Sequence, residues 1–308
     1  MNPAFSVIAF TTLSGTGYGM LAWLGLRYAW RALPLSREFA ATLFAVALAL
    51  VSIGLLSSLL HLGQPGRAWR AVSQWRSSWL SREGVLALAT YAPAIGLVCL
   101  IWLGAFDDAS RLLGLLQAAM AIATVCATAM IYASLRTIPA WSDRHVLPGY
   151  VLYALLSGGA VLLTLLSLTG WRARLPELLG AMAGLVLLAL LKLSYWRAID
   201  RKELPGDRAS ALGMPQGREL HGFERPHTGE NFVTREMGFV LARKHARPLR
   251  AIAIALSVML PLLALLGIAL HGPETPLWTA AAASLLLGAM VERWLFFAQA
   301  RHVVMRYY

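Results

Sequence analysis

The sequence predicts an all-α, polytopic transmembrane bundle of eight spans with both chain ends on the cytoplasmic side, and three observations predict it. Hydrophobic residues make up 58% of the 308 positions and charged ones 14%, whereas an ordinary soluble domain is at most ~50% apolar and ~25% charged. Eight apolar stretches are long enough to cross a ~30 Å hydrocarbon core, which takes about 20 helical residues. No segment alternates apolar and polar residues in the manner of a membrane barrel strand, and in lipid the backbone must satisfy itself, which leaves helices. A soluble enzyme, a disordered chain, a collagen and a disulfide scaffold are all excluded.

The spans fall, in order, at 5–28, 39–61, 84–104, 111–135, 149–170, 176–197, 250–270 and 276–299. The first has no basic stretch before it, since the first arginine is Arg27; it reads as a permanent span and not as a cleaved signal. Gly15 and Gly19 in span 1, and Gly180 and Gly184 in span 6, have close-packing spacing. Span 2 ends in His61 and span 3 is opened by Glu83. Spans 3 and 4 hold Cys99 and Cys126, small hydrophobes inside apolar runs, with no spacing that suits zinc or an iron–sulfur cluster. Gln117 in span 4 is a packing residue.

Two connections are long. One runs from Gly63 to Glu83. The other, 198–250, carries 17 charged residues in 53 and includes Phe223, Phe232 and Phe239. Loops of that length are functional or disordered; mixed charge and interspersed aromatics favour a docking surface. The chain thus reads as one integral membrane domain, 1–308, with 198–250 as its docking loop.

The formal net charge of +12 would suggest nucleic acid on a soluble protein. Sorted by span, 20 basic residues fall on the face shared by both ends and 6 on the other. The positive-inside rule then orients both ends and both long loops toward the cytoplasm. The partners expected are lipid and protein, not nucleic acid.

The densest polar motif is His61-Leu-Gly-Gln64-Pro-Gly-Arg67-Ala-Trp69-Arg70, followed by Trp75, Trp79 and Ser81-Arg82-Glu83. An imidazole and a carboxylate flank one interfacial loop that Gly63, Pro65 and Gly66 turn tightly. Two readings are open. One is a site for a quinone headgroup: a quinol loses two protons with its two electrons, histidine is a base tuned near neutrality, and a carboxylate can pass the proton on. Gln64, Trp69, Trp79 and Arg82 would support His61, Glu83 and Arg67. The other is an ordinary interfacial belt, with tryptophan at headgroup level, arginine on phosphate and Glu83 as a first-turn anion.

Lys192 and Glu292 lie deeper, in the same half of the bilayer. Charges there are costly and pair, so an intramembrane Lys192–Glu292 ion pair is expected, with a proton path as the alternative role. A b-type haem would need two facing imidazoles from His61, His145 and His302 and is disfavoured. No metal site is read from the sequence.

The pattern His61-Leu-Gly-x-Pro-x-Arg67-Ala with Leu80-Ser81-x-Glu83 resembles the membrane-anchor subunits of the dimethyl sulfoxide reductase family. The tract Glu236-Met237-Gly238-Phe239 and the ending from Val291 to His302 are most similar to anchors of cytoplasm-facing, membrane-bound sulfite dehydrogenases. The resemblance implies an eight-span anchor in a bacterial inner membrane. Its soluble partners would be a ferredoxin-like iron–sulfur subunit with [4Fe–4S] clusters and a catalytic subunit holding molybdenum on a bis-pterin cofactor. It implies quinone binding, ubiquinone or menaquinone, with His61 and Glu83 in quinol binding and proton handling. The same anchor would serve quinol oxidation in an S- or N-oxide reductase. A secondary transporter is the alternative of another class; it calls for charge near the midplane between two repeats, and here the polar cluster is interfacial.

Overall fold

In the computed structural model the described residues are 3–32, 36–60, 62–202 and 244–306, with the isolated positions 204, 209, 212–214, 220, 223 and 229 between them. They form an all-helical bundle with no strand. The helices are α1 (Phe5–Ala29), α2 (Arg37–Leu59), α3 (Trp79–Ala89), α4 (Tyr91–Leu103), α5 (Asp108–Ala133), α6 (Val146–Ser167), α7 (Leu175–Arg201), α8 (Ala246–Ile254), α9 (Leu260–Ala269) and α10 (Glu274–Ala298). Eight helical stretches are long and apolar enough to cross a membrane, α3 with α4 and α8 with α9 each making one. His61, most of the 198–250 loop and the Glu236–Phe239 tract lie outside the described residues.

Two spans are interrupted for visible reasons. Pro93 has no N–H for the Ala89 carbonyl and its ring crowds it, and span 3 breaks at Thr90, whose hydroxyl bonds back to Leu86 O at 2.7 Å. In span 7, Pro261 follows a π-turn at Ala255–Met259. Such bulges leave a carbonyl without its helical donor; Ser284 Oγ of α10 takes up Leu256 O at 2.7 Å.

α1 is the hub, packed against α2, α5, α6 and α10. It is rich in Gly, Ser and Thr because protein, not lipid, surrounds it. Gly19 and Gly158 let α1 and α6 meet backbone to backbone: a Cβ at Gly19 would stand 1.8 Å from Ala154 O, and one at Gly158 2.2 Å from Met20 N. The predicted small-residue pairs are only half used, since a Cβ at Gly180 would meet nothing within 4 Å.

An even number of crossings returns the chain to its starting face. That face carries the 62–78 hairpin, the 134–145 turn and the segment after α10. The last two are tied together by Val303 N, which donates to Thr137 O at 3.0 Å, and the turn is tied to α10 itself by Trp141 Nε1, which donates to Phe296 O at 3.0 Å.

Candidate functional site

The hairpin after α2 contains a 3₁₀ segment, Pro65–Val72, begun by proline. Its charged and aromatic side chains face outward: Gln64, Arg67 and Arg70 are exposed and Trp69 is 67% exposed. Arg82 closes the hairpin on itself. Its Nε donates to Trp75 O at 3.0 Å and Nη2 to Arg76 O at 2.7 Å, with the guanidinium 4.3 Å from the Trp79 ring. Ser81 Oγ donates to Ala71 O, which pins the 3₁₀ segment to the start of α3.

α3 begins at Trp79, five residues before the start at 84 read from hydropathy. Glu83 is therefore the fifth residue of the helix and not an anion at its opening; the first turn holds no acidic residue and Ser78 is the N-cap. Its side chain is 5% exposed and turns into the bundle with Ala87, one helical turn on. Glu83 Oε1 accepts from Thr128 Oγ1 of α5 at 2.5 Å, and Thr128 Oγ1 is also 3.1 Å from Thr124 O. One hydroxyl thus serves both protonation states. Against a carboxylate, Thr128 donates to Glu83. Against a carboxylic acid, Glu83 donates to Thr128, whose hydrogen swings to Thr124 O. No heavy atom has to move.

Beyond Thr128 lies a second buried polar group that charge counting placed elsewhere. Arg293, counted with the basic ends of spans, is 4% exposed, and Glu292 and Lys192 are 2% and 6% exposed. Lys192 Nζ donates to Glu292 Oε1, and Arg293 Nη1 stands 3.5 Å from Glu292 Oε2. The Arg293 guanidinium lies 3.5 Å from the centre of the Tyr150 ring. Single-residue inspection missed Thr128, Tyr150 and Arg293: a threonine or tyrosine in an apolar run carries no mark of its partner. The signal for Arg293 was its distance from the helix end, five residues before Ala298.

Of the other histidines considered for haem, His145 Nδ1 is 2.5 Å from Asp143 Oδ1 and Nε2 is 2.9 Å from Ser194 Oγ. An axial metal bond would break one of these. His302 Nδ1 accepts from Val304 N at 3.1 Å. Among the described residues no group of three or more His, Cys, Asp or Glu side chains is placed to hold a metal ion.

Eight membrane-length helices, an aromatic, arginine-rich hairpin on one face and a carboxylate buried behind it define a polytopic membrane protein with a polar cluster at one end of its bundle. The chain belongs to the DMSO reductase anchor subunit (DmsC) family, which it matches over residues 1–298. It is 32% identical to the C subunit of sulfite dehydrogenase from Allochromatium vinosum over 331 aligned positions, spanning 100% of this protein and 99% of that one. It is 30% identical to the C component of anaerobic dimethyl sulfoxide reductase from Escherichia coli over 140 positions, 44% of this protein and 48% of the relative.

Proposed function

We propose that this protein is the quinone-reactive membrane anchor of a three-subunit molybdoenzyme, passing electrons between an iron–sulfur partner and the quinone pool. Family membership supports the anchor role. Full-length similarity to the sulfite dehydrogenase relative supports sulfite oxidation over the reverse use, quinol oxidation for an S- or N-oxide reductase, which the shorter match to the E. coli relative favours. The excess of arginine on the hairpin face supports a bacterial inner-membrane location with that face cytoplasmic. The 198–250 loop on this face would dock the iron–sulfur subunit, which carries the [4Fe–4S] clusters; the molybdopterin subunit binds behind it.

The observation that carries the quinone reading is Glu83: a carboxylate removed from water, held by one hydroxyl, one helix turn below a tryptophan- and arginine-rich hairpin. The donor set suits the group. Bound quinone supplies two-electron, two-proton redox chemistry. Glu83 holds or yields a proton at its carboxylate, and Thr128 keeps that oxygen oriented in either state. The family resemblance assigns His61 and Glu83 to quinol binding and proton handling; in our reading His61 meets a ring oxygen and Arg67 the headgroup or a lipid phosphate. The outward positions of Gln64 and Trp69 suit lipid or partner contact, and the self-closing Arg82 with Trp79 suits a structural clasp.

Replacing His61 by Ala or Glu83 by Gln should lower quinone-linked turnover by about 10²–10⁴-fold, the usual contribution of a positioned acid or base. Turnover with an artificial acceptor at the catalytic subunit should be unchanged. Quinone-linked activity that survives both changes refutes the site. Deleting 221–245 should release the soluble subunits from the membrane; their retention would place docking elsewhere.

A further inference from the structure

The hairpin covers the Ser81 and Gly84 face of α3, next to Glu83. Ser81 is bonded to Ala71, and a Cβ at Gly84 would stand 3.2 Å from Val72 Cγ1. The bundle side is different. The buried hydroxyls of Thr12, Tyr18 and Tyr150 make no hydrogen bond of regular geometry among the described residues. Buried polar groups are paired with protein or with ordered water. All three border one internal cavity of about 20 Å³ between α1, α5, α6 and α10, and Thr128 and Arg293 share its wall. A water needs roughly 10–15 Å³ and two to four polar partners, so the cavity suits one water. Past Arg293 lies a second cavity of about 10 Å³, bordered by Glu292, Lys192, Tyr195 and His145. Tyr150, Tyr153 and Arg293 line both. At the far end His145 bridges Ser194 and Asp143, and Asp143 lies 3.8 Å from the exposed ammonium of Lys202.

We propose that these two cavities are hydrated and join Glu83 to the aqueous face at His145 and Asp143, as a lateral proton route through the half of the bundle nearest the hairpin. Its use for protons rests on the quinone reading; its hydration does not. The charges argue for passage and against storage. Glu83, Arg293, Glu292 and Lys192 sum to zero when all are ionised. A proton on Glu83 leaves one net positive charge in a buried cluster, which a low-permittivity interior disfavours. In quinone reduction a proton enters from the His145 side onto the Glu292–Lys192 pair, and one passes from the pair through the first water and Thr128 to Glu83, which yields its proton toward the hairpin site. Quinol oxidation runs the same exchanges backwards. One proton enters and one leaves, and only O–H and N–H bonds are exchanged. Arg293 stays charged and positions the water.

Two measurements on the intact complex test this separately. The first is X-ray hydroxyl-radical footprinting, in which bound water labels the side chains it touches. Tyr18 and Tyr150 should label at least fivefold faster than Phe44, which is equally buried among apolar side chains; equal rates overturn the hydration. The second compares Glu83→Gln with the paired variant Lys192→Met/Glu292→Leu, which removes one charge of each sign and so keeps the buried cluster, Arg293 with Glu83, at net zero, and with Tyr150→Phe, which keeps the ring. With sulfite as donor and decyl-ubiquinone as acceptor, both of the latter should lower kcat at least tenfold, raise the solvent deuterium isotope effect, and leave KM for the quinone and turnover with ferricyanide unchanged. Loss in Glu83→Gln with full kcat in the paired variant and in Tyr150→Phe overturns the route alone. Full kcat in Glu83→Gln overturns the parent reading.

Discussion

Glu83 gains its chemical meaning from one hydroxyl. Thr128 is the group that lets a buried carboxylate gain and lose a proton without rearrangement, so its hydroxyl matters more than its bulk. Thr128→Val should lower stability by ~1–3 kcal/mol, the cost of leaving a buried acceptor unpaired, and slow quinone-linked turnover, while Thr128→Ser should retain both; thermal unfolding of the complex alongside turnover checks this. A second prediction concerns Asp143, outside the spans. Burial pushes its carboxyl up, but the His145 ring and amide and the Lys202 ammonium outweigh burial and hold it below the usual carboxylate range. A group with a depressed folded pKa stabilises above its unfolded value, about 3.9, and loses that contribution as pH falls through the folded one. The 134–145 turn should therefore loosen below about pH 4 in the natural protein, and Asp143→Asn should remove that pH dependence. Hydrogen exchange of 134–145 against pH reads it; an identical acid transition in the variant would contradict it.

At the scale of elements, helix identity was legible and helix rotation was not. All eight spans lie where hydropathy puts them, with ends shifted by up to five residues. The largest shift is at α3, because Trp79, Arg82 and Glu83 lower the apolar average over a segment that is nonetheless helical. Spacing gave equal weight to Gly19 and Gly180, yet only Gly19 faces another backbone. Gly158→Leu should accordingly abolish accumulation of the folded protein, since backbone atoms at 2.2 Å cannot yield to a side chain. Gly180→Ala should be neutral or stabilising by up to ~1 kcal/mol, from helix propensity alone. Expression level and thermal midpoint distinguish the two; tolerance of leucine at 158 would mean that α1 and α6 do not pack this way.

At the scale of the whole molecule, α1 is the most buried span and the least hydropathic of the eight. Its polar side chains are sheltered from lipid by the four spans around it. That arrangement gathers the titratable interior into one half of the bundle, on the face where basic residues accumulate. The three arginines nearest the start of α2 on the other face are occupied by the protein. Arg27 pairs with Glu177 at 2.5 Å, and Arg31 and Arg37 donate to the carbonyls of Phe106 and Trp102. Orientation can be read with single cysteines in a background where Cys99 and Cys126 are replaced by Ala. A membrane-impermeant maleimide added to intact cells should label Thr169→Cys and leave Ser73→Cys unlabelled; the reverse pattern would invert the proposed topology.

By itself the sequence determined the number and order of the spans, the asymmetry of basic residues between the two faces, and the His61–Glu83 motif that carries the family resemblance. These are sums over neighbouring residues, and membrane insertion obeys such sums. Only the tertiary structure decided that Glu83 turns inward to Thr128, that Arg82 closes a hairpin, and that Arg293 is buried beside Glu292 and Lys192. Each depends on which face of a helix meets which neighbour, and that is settled by packing between segments up to a hundred residues apart.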